Sequence, residues 1–253
     1  MRINMLFVIF LVAGITQAET FTVGPGQSIQ TAIDSASPGD IIEVQTGLYQ
    51  ENINITKQLT IKAVNITEEG VDNPVLDGGM LGDTITISAD GVVLKGLVAT
   101  NGFSGIAVKS NNNTIEGNYA NYNRDFGIAV WNNVNNSLLN NTAIENKKAG
   151  IVLLAADYNI VRGNKATKNS FGILIEKSSM NVLWENSFFD NSRDASDSAT
   201  EVGINQWDDG KTGNYYGTNS CTDADLNGIC DSEYNIPDGS SVDRYPLAKN
   251  PFA

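Results

Sequence analysis

The chain has 253 residues, with 29 acidic and 16 basic side chains, a formal net charge of −13 and no histidine. The negative charge argues against nucleic acid as a partner, because phosphates would be repelled. The absence of histidine removes one of the main side chains from which soft-metal sites are built.

Residues 1–18 are predicted to be a secretory signal peptide. Arg2 precedes the apolar run Met5–Val12, and residues 16–18 (Thr-Gln-Ala) make a suitable small-residue cleavage site. This run is too short to span a bilayer as a helix, and no later segment is long and apolar enough to do so. The mature protein is therefore expected to be secreted, periplasmic or held at the cell surface.

Residues 19–39 are predicted to form an N-terminal cap with one short helix. The segment Ser28–Ala36 places Ile29 and Ile33 on one face, and Ser28 is a suitable N-cap residue. Such a helix would cover the open end of the repeat array that follows, since the terminal unit of a solenoid otherwise exposes its core.

Residues 40–206 contain a repeat marked by asparagine. Four successive sets share a spacing of five residues within the set and a period of 22 or 23 residues between sets: Asn113, Asn118, Asn123; Asn136, Asn141, Asn146; Asn159, Asn164, Asn169; Asn181, Asn186, Asn191. Each repeat breaks into three short runs of alternating apolar residues, too short for helices and rich in Ile, Val and Leu. The predicted fold is all-β: a right-handed, three-stranded parallel β-helix.

The recurring asparagines are predicted to close the bends as internal ladders. Asparagine tolerates left-handed backbone, and stacked side-chain amides can donate to one neighbour and accept from the other. The spacing places Gly91, Gly96 and Asn101 at the same three positions of an earlier coil. The alternative is a row of exposed amides that binds sugars or ions.

Two tryptophans are candidate ligand-binding residues. The alternation places Trp131 on one outer face of the coils and Trp184 on another. An exposed aromatic ring on a ribbed wall suits stacking against sugar rings or contact with a partner protein. Partial burial of both rings beneath loops is the alternative interpretation.

Residues 207–253 lose the strand period and are predicted to form an irregular C-terminal cap. Within it, side-chain oxygens of Asp223, Asp225, Asn227 and Asp231, with Gly at the sixth place, follow the spacing of an EF-hand calcium loop. Ile229 would add its backbone carbonyl. Tyr234 stands where that loop has its bidentate Glu, so the alternative is a solvated, Asp-rich turn.

The cap holds the only two cysteines, Cys221 and Cys230. In a secreted chain with two cysteines, a disulfide is the expected state. It would enclose most of the predicted calcium loop. Two free thiols are the alternative.

These segments resemble a known family. Residues 21–55 resemble the opening of pectin-lyase-like right-handed β-helix proteins, and the strings WDDGKTGNYYG, DADLNGICD and DRYPL resemble NosD-type proteins of periplasmic maturation systems and archaeal cell surfaces. The family name implies copper. However, the mature chain has no histidine and only Met80 and Met180 as thioethers, so copper binding is not carried over to it.

The resemblance also raises the question of catalysis. The Gly-x-Tyr-x-Glu motif of pectin esterases is present at Gly47–Glu51, but the later catalytic motifs of these enzymes and of polygalacturonases are absent. Arg162 beside Glu185, with Glu176 nearby, is a candidate base–acid pair. The function expected from the sequence is a non-catalytic module that binds a glycan or a cell-surface protein. The alternatives are a polysaccharide lyase or hydrolase with an acidic wall site and a structural surface-layer component.

Overall fold

The computed structural model describes residues 17–65, 72–199 and 203–252. The predicted signal peptide therefore lies almost entirely outside the described residues. These residues form one helix, α1 (Ile29–Ser35), and a series of short strands. The strands are β1 (Thr20–Val23), β2 (Ile41–Val44), β3 (Leu48–Tyr49), β4 (Ile53–Ile55), β5 (Thr60–Ala63), β6 (Val75–Asp77), β7 (Ile85–Ile87), β8 (Val93–Lys95), β9 (Val98–Thr100), β10 (Ser104–Val108), β11 (Thr114–Glu116), β12 (Tyr119–Asn121), β13 (Phe126–Trp131), β14 (Ser137–Leu139), β15 (Thr142–Ile144), β16 (Ala149–Leu154), β17 (Ile160–Arg162), β18 (Lys165–Thr167), β19 (Phe171–Glu176), β20 (Val182–Trp184), β21 (Ser187–Phe189), β22 (Arg193–Asp197), β23 (Tyr215–Tyr216), β24 (Tyr234–Asn235) and β25 (Val242–Asp243).

Three parallel sheets form the walls of a right-handed β-helix, as predicted. Wall 1 has the order β1-β2-β5-β8-β11-β14-β17-β20, wall 2 has β4-β7-β10-β13-β16-β19-β22, and wall 3 has β3-β6-β9-β12-β15-β18-β21-β23. Each coil adds one strand to each wall, so that strands stack at about 4.8 Å. Because like residues align, the core consists of columns such as Ile106, Ile128, Ile151 and Ile173, all fully buried.

The walls extend beyond residues 40–206 at both ends. Strand β1, inside the predicted N-terminal cap, pairs in parallel with β2, with Thr20 opposite Ile41. Strand β23, inside the predicted C-terminal cap, pairs in parallel with β21. Beyond it only the short antiparallel pair β24–β25 is regular within the described part of the cap.

Helix α1 covers the N-terminal end of the core. Ser28 is its N-cap, accepting a hydrogen bond from the Thr31 amide, and Ile29 and Ile33 are fully buried. Glu51 strengthens the same helix end, accepting from the backbone amides of Ile29 at 2.7 Å and Gln30 at 3.2 Å. The Gly47–Glu51 motif therefore serves the cap: its glutamate is engaged by the helix.

The predicted asparagine ladders are present and all run in one direction. The side-chain amide nitrogen of Asn141 donates to the Asn164 Oδ1 at 2.9 Å, and that of Asn164 donates to the Asn186 Oδ1 at 3.0 Å. The backbone amides of Asn141 and Asn164 donate to the same oxygens. The rungs of the three ladders are buried, apart from the half-buried Asn191 at the end of one of them, so they do not form a row of amides exposed for sugars or ions.

The left-handed residue at each bend is the one before the ladder asparagine, which corrects the prediction. Asn140, Tyr158 and Lys168 have φ of 54°, 57° and 59°, and each precedes a ladder asparagine. The ladder asparagine directs its side-chain amide into the bend, and the residue before it adopts the left-handed backbone conformation that turns the chain. In the earlier coil, Gly91 (φ 72°) is likewise the turning residue, and the ladder begins at the next amide, that of Val92. The sequence alignment of Gly91, Gly96 and Asn101 with the ladder was therefore wrong by one residue.

Each ladder ends on a buried aspartate at the C-terminal end of the solenoid. The last amides, those of Asn191, Asn205 and Asn214, donate to Asp194 at 3.2 Å, Asp197 at 3.0 Å and Asp243 at 3.2 Å, respectively. A chain of amides that all donate toward one end requires an acceptor there, and an ionised carboxylate only accepts. Two of these carboxylates also hold the aromatic core of the cap, because Trp207 Nε1 donates to Asp197 and the Tyr216 hydroxyl donates to Asp243.

The first prediction concerns a ladder interior. Asn164→Ala removes a fully buried amide and leaves the donors of Asn141 without their acceptor. We expect a loss of about 3 kcal/mol in the free energy of unfolding, measured by urea denaturation. The exposed Asn235→Ala is the matched control and should change it by less than about 0.5 kcal/mol. Equal effects of the two substitutions would contradict a stabilising ladder.

The second prediction concerns pH. Burial raises the pKa of Asp243 from 3.8 to about 6, against the hydrogen bonds from Asn214, Tyr245 and Tyr216 that lower it. A carboxyl whose pKa is higher in the folded state stabilises the fold most below pH 3.8, and this contribution is lost as the pH rises through about 6. Between about pH 5 and 7, the wild type should therefore lose about 1 kcal/mol more than Asp243→Asn.

The measurement is urea denaturation of both proteins across this pH range. The difference between them removes the effect of the overall negative charge, which both share. The side-chain carboxyl ¹³C shift of Asp243 provides a check that does not need the variant to fold. An Asp243 midpoint below about pH 4, close to an unperturbed aspartate, would contradict the prediction.

Candidate functional site

The outer face of wall 2 carries a row of covered small side chains. Ala107, Ala129 and Val152 align in register on β10, β13 and β16, and all three are buried, although their strand neighbours are the residues that fill the core. Phe126 and Trp131 lie at the two ends of β13, and their rings meet edge to face at 5.8 Å. In these three coils, wall 2 is therefore apolar on its outer face as well as on the face toward the core.

Three cation–aromatic pairs follow the edge of wall 2 along the solenoid axis. Arg124 lies 4.9 Å from the ring centre of Phe103, Lys148 lies 5.4 Å from that of Phe126, and Arg193 lies 5.7 Å from that of Phe171. We call these six residues the aromatic row. Phe126 on β13 aligns with Ala149 on β16, and Ala149 aligns with Phe171 on β19, so the two phenylalanines are two coils apart.

Charged groups of both signs accompany the aromatic row. Lys109 pairs with Asp83 at 2.9 Å, and Lys148 pairs with Asp125 at 3.2 Å. Asp83, Lys109 and Asp125, together with Phe126 and Trp131, border an open depression of about 340 Å³. The wall thus combines aromatic faces, ammonium groups and carboxylates on a surface that is long and open.

The two predicted ligand-binding tryptophans lie on different walls. Trp131 is half-buried at the end of β13, and its indole nitrogen is buried with no hydrogen-bond partner among the described residues. Trp184 is half-buried on β20 in wall 1, with Arg162 at 5.6 Å from its ring. The structure therefore does not bring them together, and only Trp131 adjoins the aromatic row.

The aromatic row was missed by sequence reasoning. Each of its cations follows its aromatic partner by about one period, as Lys148 follows Phe126 and Arg193 follows Phe171 by 22 residues. Once the coil length was known, this offset was the available signal. It was overlooked because the tryptophans, rather than the phenylalanines, were taken as the exposed aromatics.

The acidic residues considered for catalysis are dispersed. Arg162 and Glu185 form an ion pair at 2.8 Å on wall 1, with both side chains about half exposed. Glu176 is exposed at the end of β19 in wall 2. A surface pair of this kind is common and contributes little by itself.

The predicted calcium loop folds its oxygens toward its own backbone. Asp223 accepts from the amides of Asn227 and Gly228 at 3.0 and 3.1 Å, Asn227 Oδ1 accepts from Ile229 at 2.7 Å, and Asp231 accepts from Ala224 at 3.1 Å. Asp225 also accepts from the Asn227 amide, at 3.3 Å. A carboxylate has about four lone-pair sites, so these bonds leave capacity for a cation.

Within the described ranges, no three or more Asp, Glu, Cys or His side chains lie in an arrangement that would hold a metal ion. Calcium at Asp223, Asp225, Asn227, Ile229 and Asp231 therefore stays a prediction. The disulfide between Cys221 and Cys230 is present, with a Cα–Cα distance of 5.5 Å, and joins the two ends of the loop. Cys230 also anchors the loop to the rest of the cap, because its amide donates to the Pro246 carbonyl at 2.8 Å.

Comparison with known proteins identifies one matching family. The family described as "Periplasmic copper-binding protein (NosD)" matches residues 15–221. No curated protein sequence matches the chain. In the described part of the chain, no helix has the length and apolar character needed to cross a membrane.

Solved structures share the fold. An alginate lyase from Paenibacillus sp. str. FPU-7 superposes with a TM-score of 0.54 at 15% identity, covering 78% of this chain and 91% of the lyase. The pectate lyase Pel9A superposes with a TM-score of 0.52 at 14% identity, covering 83% of this chain and 78% of that enzyme. At these identities, the likeness shows the architecture alone.

The copper named in the family description does not fit the side chains of this protein. Copper sites favour thiolate, thioether and imidazole ligands. The chain has no histidine, and its two cysteines are bonded to each other. Met80 and Met180 lie in separate bends, before β7 and β20, and are exposed. We therefore derive no function through copper.

The third prediction is that calcium stabilises the C-terminal cap. Added Ca²⁺ should raise the thermal midpoint by about 5 °C, and a chelator should reverse this, because a ligand bound only by the folded state stabilises it by mass action. Asp223→Asn combined with Asp225→Asn should abolish the shift. Asp190→Asn, an exposed acid outside the loop, is the control and should keep it. An equal midpoint with calcium and with chelator in the wild type would contradict the prediction.

Proposed function

We propose, from the membership of this chain in the NosD family, that it is a secreted, periplasmic or cell-surface β-helix protein that binds an anionic glycan along wall 2 without cleaving it. The disulfide supports an oxidising compartment outside the cytoplasm. The observation that carries the binding proposal is the aromatic row, with three cation–aromatic pairs aligned on one wall.

The geometry of the aromatic row suits a linear polymer. Phenyl rings offer flat apolar faces on which the C–H faces of sugars pack. Phe126 and Phe171 are two coils apart, roughly 9.6 Å, similar to the length of two sugar units in an extended chain. Because the wall is open at the sides, a polymer could extend along the axis over several coils.

The cations of the aromatic row could engage an anionic ligand, which would compete with Asp125 and Asp238, the present ion-pair partners of Lys148 and Arg193. The protein as a whole is acidic, with a formal net charge of −13, yet Arg124, Lys148 and Arg193 gather beside the three rings. Walls 1 and 3 each carry one such pair, Arg162 on Trp184 and Lys165 on Phe189. A carboxylate-bearing sugar could pair with these cations while its ring packs on the aromatic face. The structural neighbours are named for alginate and pectate, both anionic polysaccharides, which makes these the first probes.

A polysaccharide lyase is the second candidate. The depression at Trp131 contains an amine, Lys109, next to the carboxylates Asp83 and Asp125, which together could provide an acid and a base. The remaining candidate, a structural surface-layer component, would need neither the row nor the depression.

The fourth prediction tests binding. The protein should bind alginate and pectate, seen as slower migration in affinity electrophoresis or as heat of binding in titration calorimetry. It should not bind neutral dextran. Phe126→Ala combined with Phe171→Ala should weaken binding by about tenfold or more, and Trp131→Ala should weaken it less. Phe189→Ala is the matched control, because Phe189 also lies beneath a cation, Lys165, but on wall 3. Binding should weaken as salt increases, because the ion pairs are exposed.

Other outcomes would overturn this proposal. Release of unsaturated or reducing-end products would identify an enzyme, and loss of these products in Lys109→Ala would place the base in the depression. Equal loss of binding in the wall 2 and wall 3 variants would exclude the aromatic row as the site. No retention of any polysaccharide would leave the surface-layer role.

A further inference from the structure

Wall 1 and the bend beside it carry an exposed apolar surface at the C-terminal end of the solenoid. Tyr158, Met180 and Ile204 precede the stacked ladder residues Asn159, Asn181 and Asn205, and their exposed fractions are 57%, 50% and 46%. Ile160, 38% exposed, and Val182, half-buried, align beside them on β17 and β20. We call these five residues the apolar stripe; Trp184 continues it along β20.

The fold does not require apolar side chains at these positions. In the two preceding coils the same column holds Asn112 and Asn135, and the neighbouring column holds Thr114 and Ser137. Asn112, Asn135, Tyr158 and Met180 all have φ of 57–58°, a conformation that asparagine adopts more readily than tyrosine or methionine. The exposed apolar residues therefore stand where polar residues would suit the backbone better, which points to a binding role.

We propose that the apolar stripe is the contact surface of a homodimer in which two β-helices pack with antiparallel axes. The stripe spans three successive coils, with Met180 and Val182 on the central one. A two-fold axis in the interface along the strand of this central coil places Met180, Val182 and Trp184 against the same residues of the second copy. Tyr158 then meets Ile204 of the second copy, so the stripe is complementary to itself, as an isologous interface requires.

Charges at the border of the stripe agree with self-association. The ion pair of Arg162 and Glu185 lies beside Trp184 and adds no net charge. The same two-fold axis places Arg162 opposite the coil that follows β20, since Val182 aligns with Gln206. That coil presents the exposed Asp209, whereas Asp208 is buried and paired with Arg244 of its own chain. Two copies with formal net charges of −13 repel each other, whereas the contact itself is apolar. Added salt should therefore strengthen the dimer, the reverse of its effect on a contact with a basic partner.

The test is sedimentation velocity of the mature, secreted chain over a range of concentrations, at about 0.05 M and about 0.5 M NaCl. The expected result is a monomer–dimer equilibrium that shifts toward dimer at the higher salt concentration. Tyr158→Asn combined with Met180→Asn should raise the dissociation constant by about tenfold or more. Both changes restore the residue found in the same column of earlier coils, and neither creates a glycosylation sequon.

Two controls separate association from folding. The double variant should keep or slightly raise its thermal midpoint, because asparagine suits a left-handed backbone. Leu48→Asn alters an exposed leucine, 58% exposed, at the other end of the solenoid and should leave the dimer unchanged. A wild type that stays monomeric at both salt concentrations, or a dimer that the double variant does not weaken, would overturn the proposal. Association that weakens with salt would indicate a different, charged interface.

Discussion

The structure depends on hydrogen bonds between side-chain amides buried at its three bends. Each ladder asparagine accepts from the backbone and side-chain amides of the coil before it and donates to the coil after it. A slip of one residue would replace the asparagine at the bend by a neighbour such as Gly163 or Lys165, which has no side-chain amide to continue the ladder, and would leave backbone groups unpaired. The ladders therefore fix the register in which coils stack, and the apolar columns and outer walls follow from this register.

The direction of the ladders explains the design of the two ends. At the N-terminal side, the ladders begin on the backbone amides of Val92, Leu97 and Gly102, which need only an acceptor. At the other end, unused donors require acceptors, which Asp194, Asp197 and Asp243 supply. The last strand of wall 2, β22, carries two of these aspartates and the C-terminal cap carries the third, so together they terminate three polarised chains of hydrogen bonds.

Much of the fold could be predicted from the repeat alone, because stacked coils impose their period on both the asparagines and the apolar columns. The two ends could not be delimited, since β1 and β23 join the walls from segments without the repeat. The turning residues were misplaced by one position because Asn101 and the glycines suggested that the ladder residue itself was left-handed. The candidate site was only partly foreseen: Trp131 borders it, but its cations reach the rings from neighbouring coils, a contact that no single repeat displays.

The ladders have identical interior rungs but chemically different ends. A coil could be inserted or deleted between Asn118 and Asn186 without new chemistry, because every interior asparagine meets the same neighbours above and below. The starting amides and the terminal aspartates would be unaffected. The length of such a protein is therefore an adjustable property, and with it the length of each outer wall.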